Sequence, residues 1–291
     1  MTIIGPEPTR TRPLHDNARR DLREPGRARP VRLYVWEPPR PVAEPAPLVL
    51  VSHGTGGSGG AMEWLVGPLV EAGFRVAAVD HHGNNHVDGY EPEGFCFLWE
   101  RPRDLSYVLD VLAAERPLGP VGAAGFSLGG YTVAALAGAR LDPLVVRALV
   151  EGHAPLPVVP EFPGLQEALL RMAAEWSPEE LDALLAAAAA DLSDPRVRAV
   201  FQVAPSNGGI LTAESLRAVR VPVEVRWGGA DTIAPYEPDT GPYMEHIPGA
   251  RGRSVGPAVR HDDFIEPEPA DPTARVRVGA DAVGFFLREL L

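Results

Sequence analysis

The chain has 291 residues, 45% hydrophobic and 23% charged, a balance that excludes disordered or fibrous proteins and suits one globular domain carrying an insertion. Its formal net charge of −12 speaks against a nucleic-acid partner, because phosphate binding needs a basic surface. All 27 basic residues are arginine, so Schiff-base chemistry and the lysine of a phosphate-binding P-loop are excluded.

The N-terminal stretch "MTIIGPEPTRTRPLHDNARRD" lacks the apolar run and cleavage site of a secretory signal. No apolar run approaches the ~20 residues of a membrane span, so the expectation is a cytoplasmic chain without one. Residues 1–30, rich in Arg and Pro, are expected to run along the surface before regular structure starts at Val31 with the strand "VRLYVWEP". After a Pro-punctuated turn come the buried strand "LVLVSH", the glycine loop "GTGGSGG" and a helical stretch "AMEWLVGPLVEAG" ending with Gly73 at C′. "FRVAAVD" is a further buried strand, so strand, helix and strand alternate as in a parallel sheet.

"HHGNNHVDGYEPEGF", residues 81–95, is too polar for a regular element and leaves the carboxyl end of a strand, where α/β sites are built. The lone Cys96 excludes an intramolecular disulfide and reads as a small packed hydrophobe. "WERPRDLSYVLDVLAAE" places Leu105, Val108, Leu109 and Leu112 on one helical face. "PVGAAGFSLGGYTVAALAGA" reads as strand, sharp turn and helix.

Residues 141–194 break the alternation with two helical stretches and no clear strand after "LVVRALV". The second helix has Ser177 as N-cap, Pro178 at N1, Glu180 completing a capping box, and an apolar face through Leu181, Leu184, Leu185, Ala188 and Leu192. The segment reads as a helical lid over the carboxyl end of the sheet, the core then comprising 31–140 and 195–291, or else as a helical pair that merely extends the core. "RVRAVFQVAP", "VPVEVRWGG" and "ARGRSVG" restore strands around a short helical "TAESLRAV", and "RVRVGADAVGFFLRELL" closes the chain as a helix.

Two chemistries compete for the glycine loop. Gly54, Gly56 and Gly59 satisfy G-x-G-x-x-G, with Asp80 21 residues beyond, as in dinucleotide binding; the same loop reads as His-Gly-x-Gly, the oxyanion loop of a serine hydrolase. Gly125-Phe126-Ser127-Leu128-Gly129 decides for the second, being G-x-S-x-G between a strand and a helix, where a tight turn demands glycine on either side of a raised serine. A serine nucleophile needs a base and an acid to orient it, expected in the order Ser, acid, His. Asp231, in the turn leaving "VEVRW", is favoured over Asp239, which has no strand behind it. Of His153, His246 and His261, only His261 lies between the last strand and the closing helix, and it is taken as the base. The oxyanion donors are then the backbone N–H groups of Leu128 and Thr55, with His53 fixing the loop. Asp80, His81, His82, His86 and Asp88 lie close enough in sequence to raise the question of a metal, yet no helical spacing organises them and a serine triad needs none, so neither metal nor cofactor is expected.

With these residues in place the chain resembles the α/β-hydrolase superfamily, in the branch of predicted dienelactone hydrolases and platelet-activating-factor-acetylhydrolase-like esterases. "LVLVSHGTGG", "VAAVDHHGNN", "WERPRDLSYVLDVL", "GFSLGGYT", "DPRVRAVFQVAPSNGG", "VPVEVRWGGADTIAP" and "RHDDF" carry the resemblance in order. It implies a mostly parallel sheet flanked by helices and a Ser127-Asp231-His261 hydrolase cleaving a small-molecule ester, lactone or other acyl substrate through an acyl-enzyme. In acetylhydrolase-like members the acid can follow the preceding strand; here that place holds Ser206 and Asn207, and Glu151 is kept as a minor candidate. True dienelactone hydrolases use cysteine, so Ser127 favours the esterase side. Acyl transfer or cyclisation with the same triad is the alternative, and a dinucleotide-binding oxidoreductase a more distant one.

Overall fold

The computed structural model describes residues 6–157 and 159–291; the first five residues of the expected N-terminal segment and one residue of the insertion lie outside it. Eight strands form one sheet: β1 (Arg10–Arg20), β2 (Ala28–Trp36), β3 (Leu48–Ser52), β4 (Arg75–Asp80), β7 (Val121–Phe126), β8 (Val197–Val203), β9 (Val223–Trp227) and β10 (Arg251–Ser254). Their spatial order is β1-β2-β4-β3-β7-β8-β9-β10. The β1/β2 and β2/β4 pairs are antiparallel and the remaining pairs parallel. The helices are α1 (Glu63–Glu71), α2 (Pro92–Cys96), α3 (Glu100–Glu115), α4 (Leu128–Leu136), α5 (Pro143–Val150), α6 (Leu165–Ala173), α7 (Pro178–Ala188), α8 (Ala213–Ala218), α9 (Gly241–His246) and α10 (Ala274–Leu290). None of the described helices is long and apolar enough to cross a membrane.

Side-chain alternation builds two cores, one per sheet face. Leu48 and Leu50 of β3 pack with α3 and α4, while Val49 and Val51 pack with α1 and α10. Covered on both faces, the central strands are apolar at almost every position, which is why their sequences read as continuous hydrophobic runs. Helix α1 stops in a Schellman motif: Gly73 adopts φ +96°, its N–H bonds Val70 O at 3.1 Å, and Phe74 N–H bonds Leu69 O at 3.0 Å. The capping box at α7 forms between Ser177 and Glu180 as the sequence requires.

Three expectations need correction. Residues 10–20 are not an irregular surface segment but the edge strand β1, in register with β2 from Arg10↔Val35 onward. Polar composition misleads there because an edge strand needs only its backbone paired, and its long arginines lie over α3, where Arg10 and Arg12 meet Glu115. "LVVRALV" belongs to α5, begun by Asp142, whose carboxylate accepts from Leu144 N–H at 2.8 Å, and by Pro143 at N1, so the insertion holds three helices rather than two. Within residues 81–95 the chain is partly regular, forming a small hairpin of β5 (Asn84–Asn85) and β6 (Gly89–Tyr90) followed by α2.

Candidate active site

The turn from β7 to α4 carries Ser127 at φ 53°, ψ −121°, a backbone conformation that costs a non-glycine residue on the order of 1–3 kcal/mol. Surrounding bonds hold it there: Ser127 N–H donates to Val203 O at 2.9 Å, and Ser127 O accepts from Gly130 N–H at 2.7 Å. Glycine is required on both sides for a contact reason. A Cβ on Gly125 would lie 2.0 Å from Gly129 O, and one on Gly129 would lie 2.0 Å from Ser52 O. On the facing loop Gly54 comes so close that a Cβ there would stand 3.2 Å from the Ser127 Cβ.

Asp231 and His261 meet, although 30 residues separate them in sequence: Nδ1 of His261 lies 2.7 Å from Asp231 Oδ2. The other carboxylate oxygen, Oδ1, accepts from Ile233 N–H at 3.0 Å and Ala234 N–H at 2.8 Å, so the turn after β9 grips the acid from behind. Both side chains are buried, and the imidazole lies on Phe126, the residue before Ser127, with ring centroids 4.8 Å apart. Ser127, His261, Thr55 and Leu128 all line one cavity of about 910 Å³. Among the described residues neither the Thr55 nor the Leu128 N–H has a protein acceptor. For Leu128, at N1 of α4, helix geometry leaves the N–H free.

The other candidates are bonded to other partners. Asp239 lines the cavity but accepts from Asn207 N–H at 2.6 Å, and burial raises its carboxyl above the ordinary range. Glu151 faces Arg147 and His153, and His246 faces Glu245. His53 fixes the loop: its Nδ1–H donates to Gly54 O at 2.6 Å and Nε2 accepts from His81 N–H at 3.2 Å, a neutral tautomer that burial and then Arg101 enforce by holding its pKa well below normal.

The residues weighed for a metal are committed separately. Asp80 accepts from Gly59 N–H and the Tyr34 hydroxyl, each at 2.8 Å, His86 Nδ1 is 3.2 Å from Gly56 O, and Asp88 is paired with Arg32. The Asp80–Gly59 bond also removes the dinucleotide reading, because the acid that would hold a ribose is spent inside the fold on the loop itself.

His81 belongs to a second array, which no spacing in the sequence displays. Ser52 Oγ is 2.9 Å from His81 Nε2, and His81 Nδ1 is 3.0 Å from Asp104 Oδ2, an order of serine, histidine and acid like that of a triad. All three are fully buried and none lines the cavity, so substrate cannot reach this serine. Burial, with Arg101 nearby, pushes His81 down to about 3 despite its bond to Asp104. Burial alone would raise Asp104, but Arg29, Arg19 and the His81 bond overcome it and hold the carboxylate well below the usual range. A signal existed: Arg101 and Asp104 share a helical face with Leu105, Val108 and Leu112, and charges on an apolar face mark buried polar work.

Comparison with known proteins adds the family. The profile of the family described as serine aminopeptidase, S33, matches residues 43–268. No curated protein matches the chain. Among solved structures it resembles a ferulic acid esterase from Streptomyces cinnamoneus, at 18% identity and TM-score 0.59 over 96% of this chain and 88% of that one. An alpha-beta serine hydrolase homologue from Coxiella burnetii matches at 13% identity and TM-score 0.56 over 96% and 98%. A dienelactone hydrolase from Anabaena variabilis matches at 17% identity and TM-score 0.53 over 90% and 93%. At these identities the likeness is one of fold.

Proposed function

Since the chain belongs to the serine aminopeptidase S33 family of α/β hydrolases, we propose that it cleaves a carboxylic ester or lactone through an acyl-enzyme on Ser127. The observation that carries this reading is the buried His261–Asp231 pair at 2.7 Å, opening beside a strained serine onto a large cavity. A carboxylate at Nδ1 requires Nδ1–H, which leaves the Nε2 lone pair to take the Ser127 proton as Oγ attacks the acyl carbon. Negative charge then collects on the former carbonyl oxygen, where the Thr55 and Leu128 N–H groups stabilise it. Collapse breaks the acyl–oxygen bond, His261 returns the proton to the leaving alkoxide, and water repeats the sequence to release the acid and regenerate Ser127.

The cavity's chemistry narrows the substrate. Its apolar and aromatic lining includes Phe95, Phe97 and Trp99 together with Leu149, Leu165 and Leu169 of α5 and α6, which supports reading the inserted helices as a lid. Among the described residues its carboxylate-bearing lining is Glu161, Asp239, Asp262 and Glu266, and no arginine lines it although the chain holds 27. Such a site takes a bulky apolar ester, neutral or cationic, and repels an anionic one.

Labelling with a fluorophosphonate probe tests the nucleophile, alongside turnover of p-nitrophenyl esters of increasing length and of a dicarboxylic monoester. Labelling and turnover lost together in Ser127→Ala, with the anionic ester the poorest substrate, is the expected result. Equal labelling of Ser127→Ala overturns the reading. Amino-acid p-nitroanilides in the same assay separate ester from amide cleavage.

A further inference from the structure

We propose that Arg101 is a positioning residue that clamps the two oxyanion donors to one another; the inference rests on the acyl-enzyme reading above. Arg101 is buried at the start of α3 and does not line the cavity, so it never touches substrate. Its guanidinium instead spans the two backbone segments that carry Thr55 and Leu128.

On the loop side, one terminal nitrogen donates to the His53 carbonyl and lies 3.4 Å from Ser52 Oγ. The other donates at 3.3 Å to Asn84 Oδ1, the oxygen that also accepts from Gly56 N–H at 2.7 Å. The loop segment that holds Thr55 is thus tied down on both sides, at His53 and at Gly56. On the helix side, Nε donates to Thr132 Oγ1 at 3.0 Å, and the Thr132 hydroxyl donates to Leu128 O at 3.0 Å. One rigid planar group therefore sets the separation of two N–H donors that come from different parts of the sequence.

The energetics argue that this arrangement is kept for geometry rather than for stability. All four acceptors of Arg101 are uncharged, while the carboxylate of Asp104, one turn further along the helix, is bonded to Arg19, Arg29 and His81. A buried guanidinium without a directly bonded carboxylate is expensive, and an apolar side chain of similar volume would serve packing better. What an apolar replacement cannot do is hold these four backbone and side-chain acceptors in fixed positions relative to one another. Loosening by a fraction of an ångström matters here because donors must meet the oxygen of the transition state, not that of the bound ester.

The test uses the full chain and the variants Arg101→Met, Thr132→Val and Thr132→Ser, reading the fluorophosphonate labelling rate of Ser127 together with kcat and KM on a p-nitrophenyl ester. Arg101→Met should lower kcat and labelling rate by about 10- to 100-fold with KM moving less than about threefold, since the donors act on the transition state alone. Thr132→Val should lower both several-fold and Thr132→Ser should restore them. A folded Arg101→Met or Thr132→Val with wild-type kcat, or one whose loss is entirely in KM, overturns the clamp. If Arg101→Met does not fold, the Thr132 pair decides alone. A wild type that is never labelled overturns the acyl-enzyme reading instead, a result distinct from a labelled wild type with unaffected variants.

Discussion

Asp231→Asn is the sharpest test of the site because the structure dictates which way the new amide must face. Asp231 Oδ1 accepts two backbone N–H groups, from Ile233 at 3.0 Å and Ala234 at 2.8 Å, and an amide NH2 cannot replace that oxygen. Asparagine therefore keeps its carbonyl oxygen on the turn and presents its NH2 to His261 Nδ1, where Asp231 Oδ2 stood 2.7 Å away. The imidazole must answer with a lone pair on Nδ1, which moves its proton to Nε2 and leaves no base for Ser127. A tautomer reversal of this kind costs about 10⁴-fold in kcat, or roughly 5.5 kcal/mol of barrier. Stability should change by less than about 1 kcal/mol, because every hydrogen bond around residue 231 survives with its direction adjusted. Single-turnover acylation by a p-nitrophenyl ester and calorimetric melting of the same preparation measure the two quantities. An Asn variant retaining more than roughly a tenth of wild-type kcat refutes the reasoning and moves the orienting role to another carboxylate, of which Asp239 in the cavity wall is the first to remove.

Three other outcomes follow from the geometry. Gly129→Ala should destabilise the chain by more than about 3 kcal/mol and abolish labelling of Ser127, since its Cβ would stand 2.0 Å from Ser52 O; a normally melting, labelled variant contradicts this. Arg29→Met should cost about 3–5 kcal/mol in urea unfolding, because Arg29 bonds Asp104 at 2.8 and 3.1 Å and its loss strips a fully buried carboxylate of a main partner. Stability should fall as pH drops from 7 to 5. His53 and His81 are fully buried and held neutral, their folded pKa values below the ordinary 6.5, so the unfolded chain binds protons first. The loss is about 2 kcal/mol by pH 5 from His81, which is held down to about 3, with His53 adding in the same direction; stability is regained above about pH 7, and urea titrations giving equal stability at both pH values would refute it.

Much of this protein is legible in local sequence because the determinants are local. The alternation of buried strands with helices, the Gly73 stop, the Ser177 capping box and the glycine-flanked Ser127 each depend on residues within a few positions of one another. Where local composition and tertiary role part company, sequence reading fails. The arginines of β1 look like solvent-exposed coil until α3 supplies Glu115 and Glu100 as partners. The run "LVVRALV" is β-branched enough to resemble a strand, and only the Asp142 cap and the neighbouring helices make it α5.

The order of serine, acid and histidine along the chain named which residues to look for, since each follows a strand and strands end on the same side of a parallel sheet. That Asp231 and His261 touch depends on the turn after β9 and the turn after β10 being brought together by strand order, which no spacing in the chain encodes. The same holds for the enclosed Ser52, His81 and Asp104 and for the Arg101 clamp, whose partners come from β3, the loop after β4 and α4. Turn chemistry and periodicity are properties of neighbours in sequence, so the chain by itself determined most of the central elements and the strand-to-helix turn that raises Ser127. Long-range pairing of buried polar groups exists only once desolvation forces each charge to find a partner, so the folded structure alone decided what those groups hold in place.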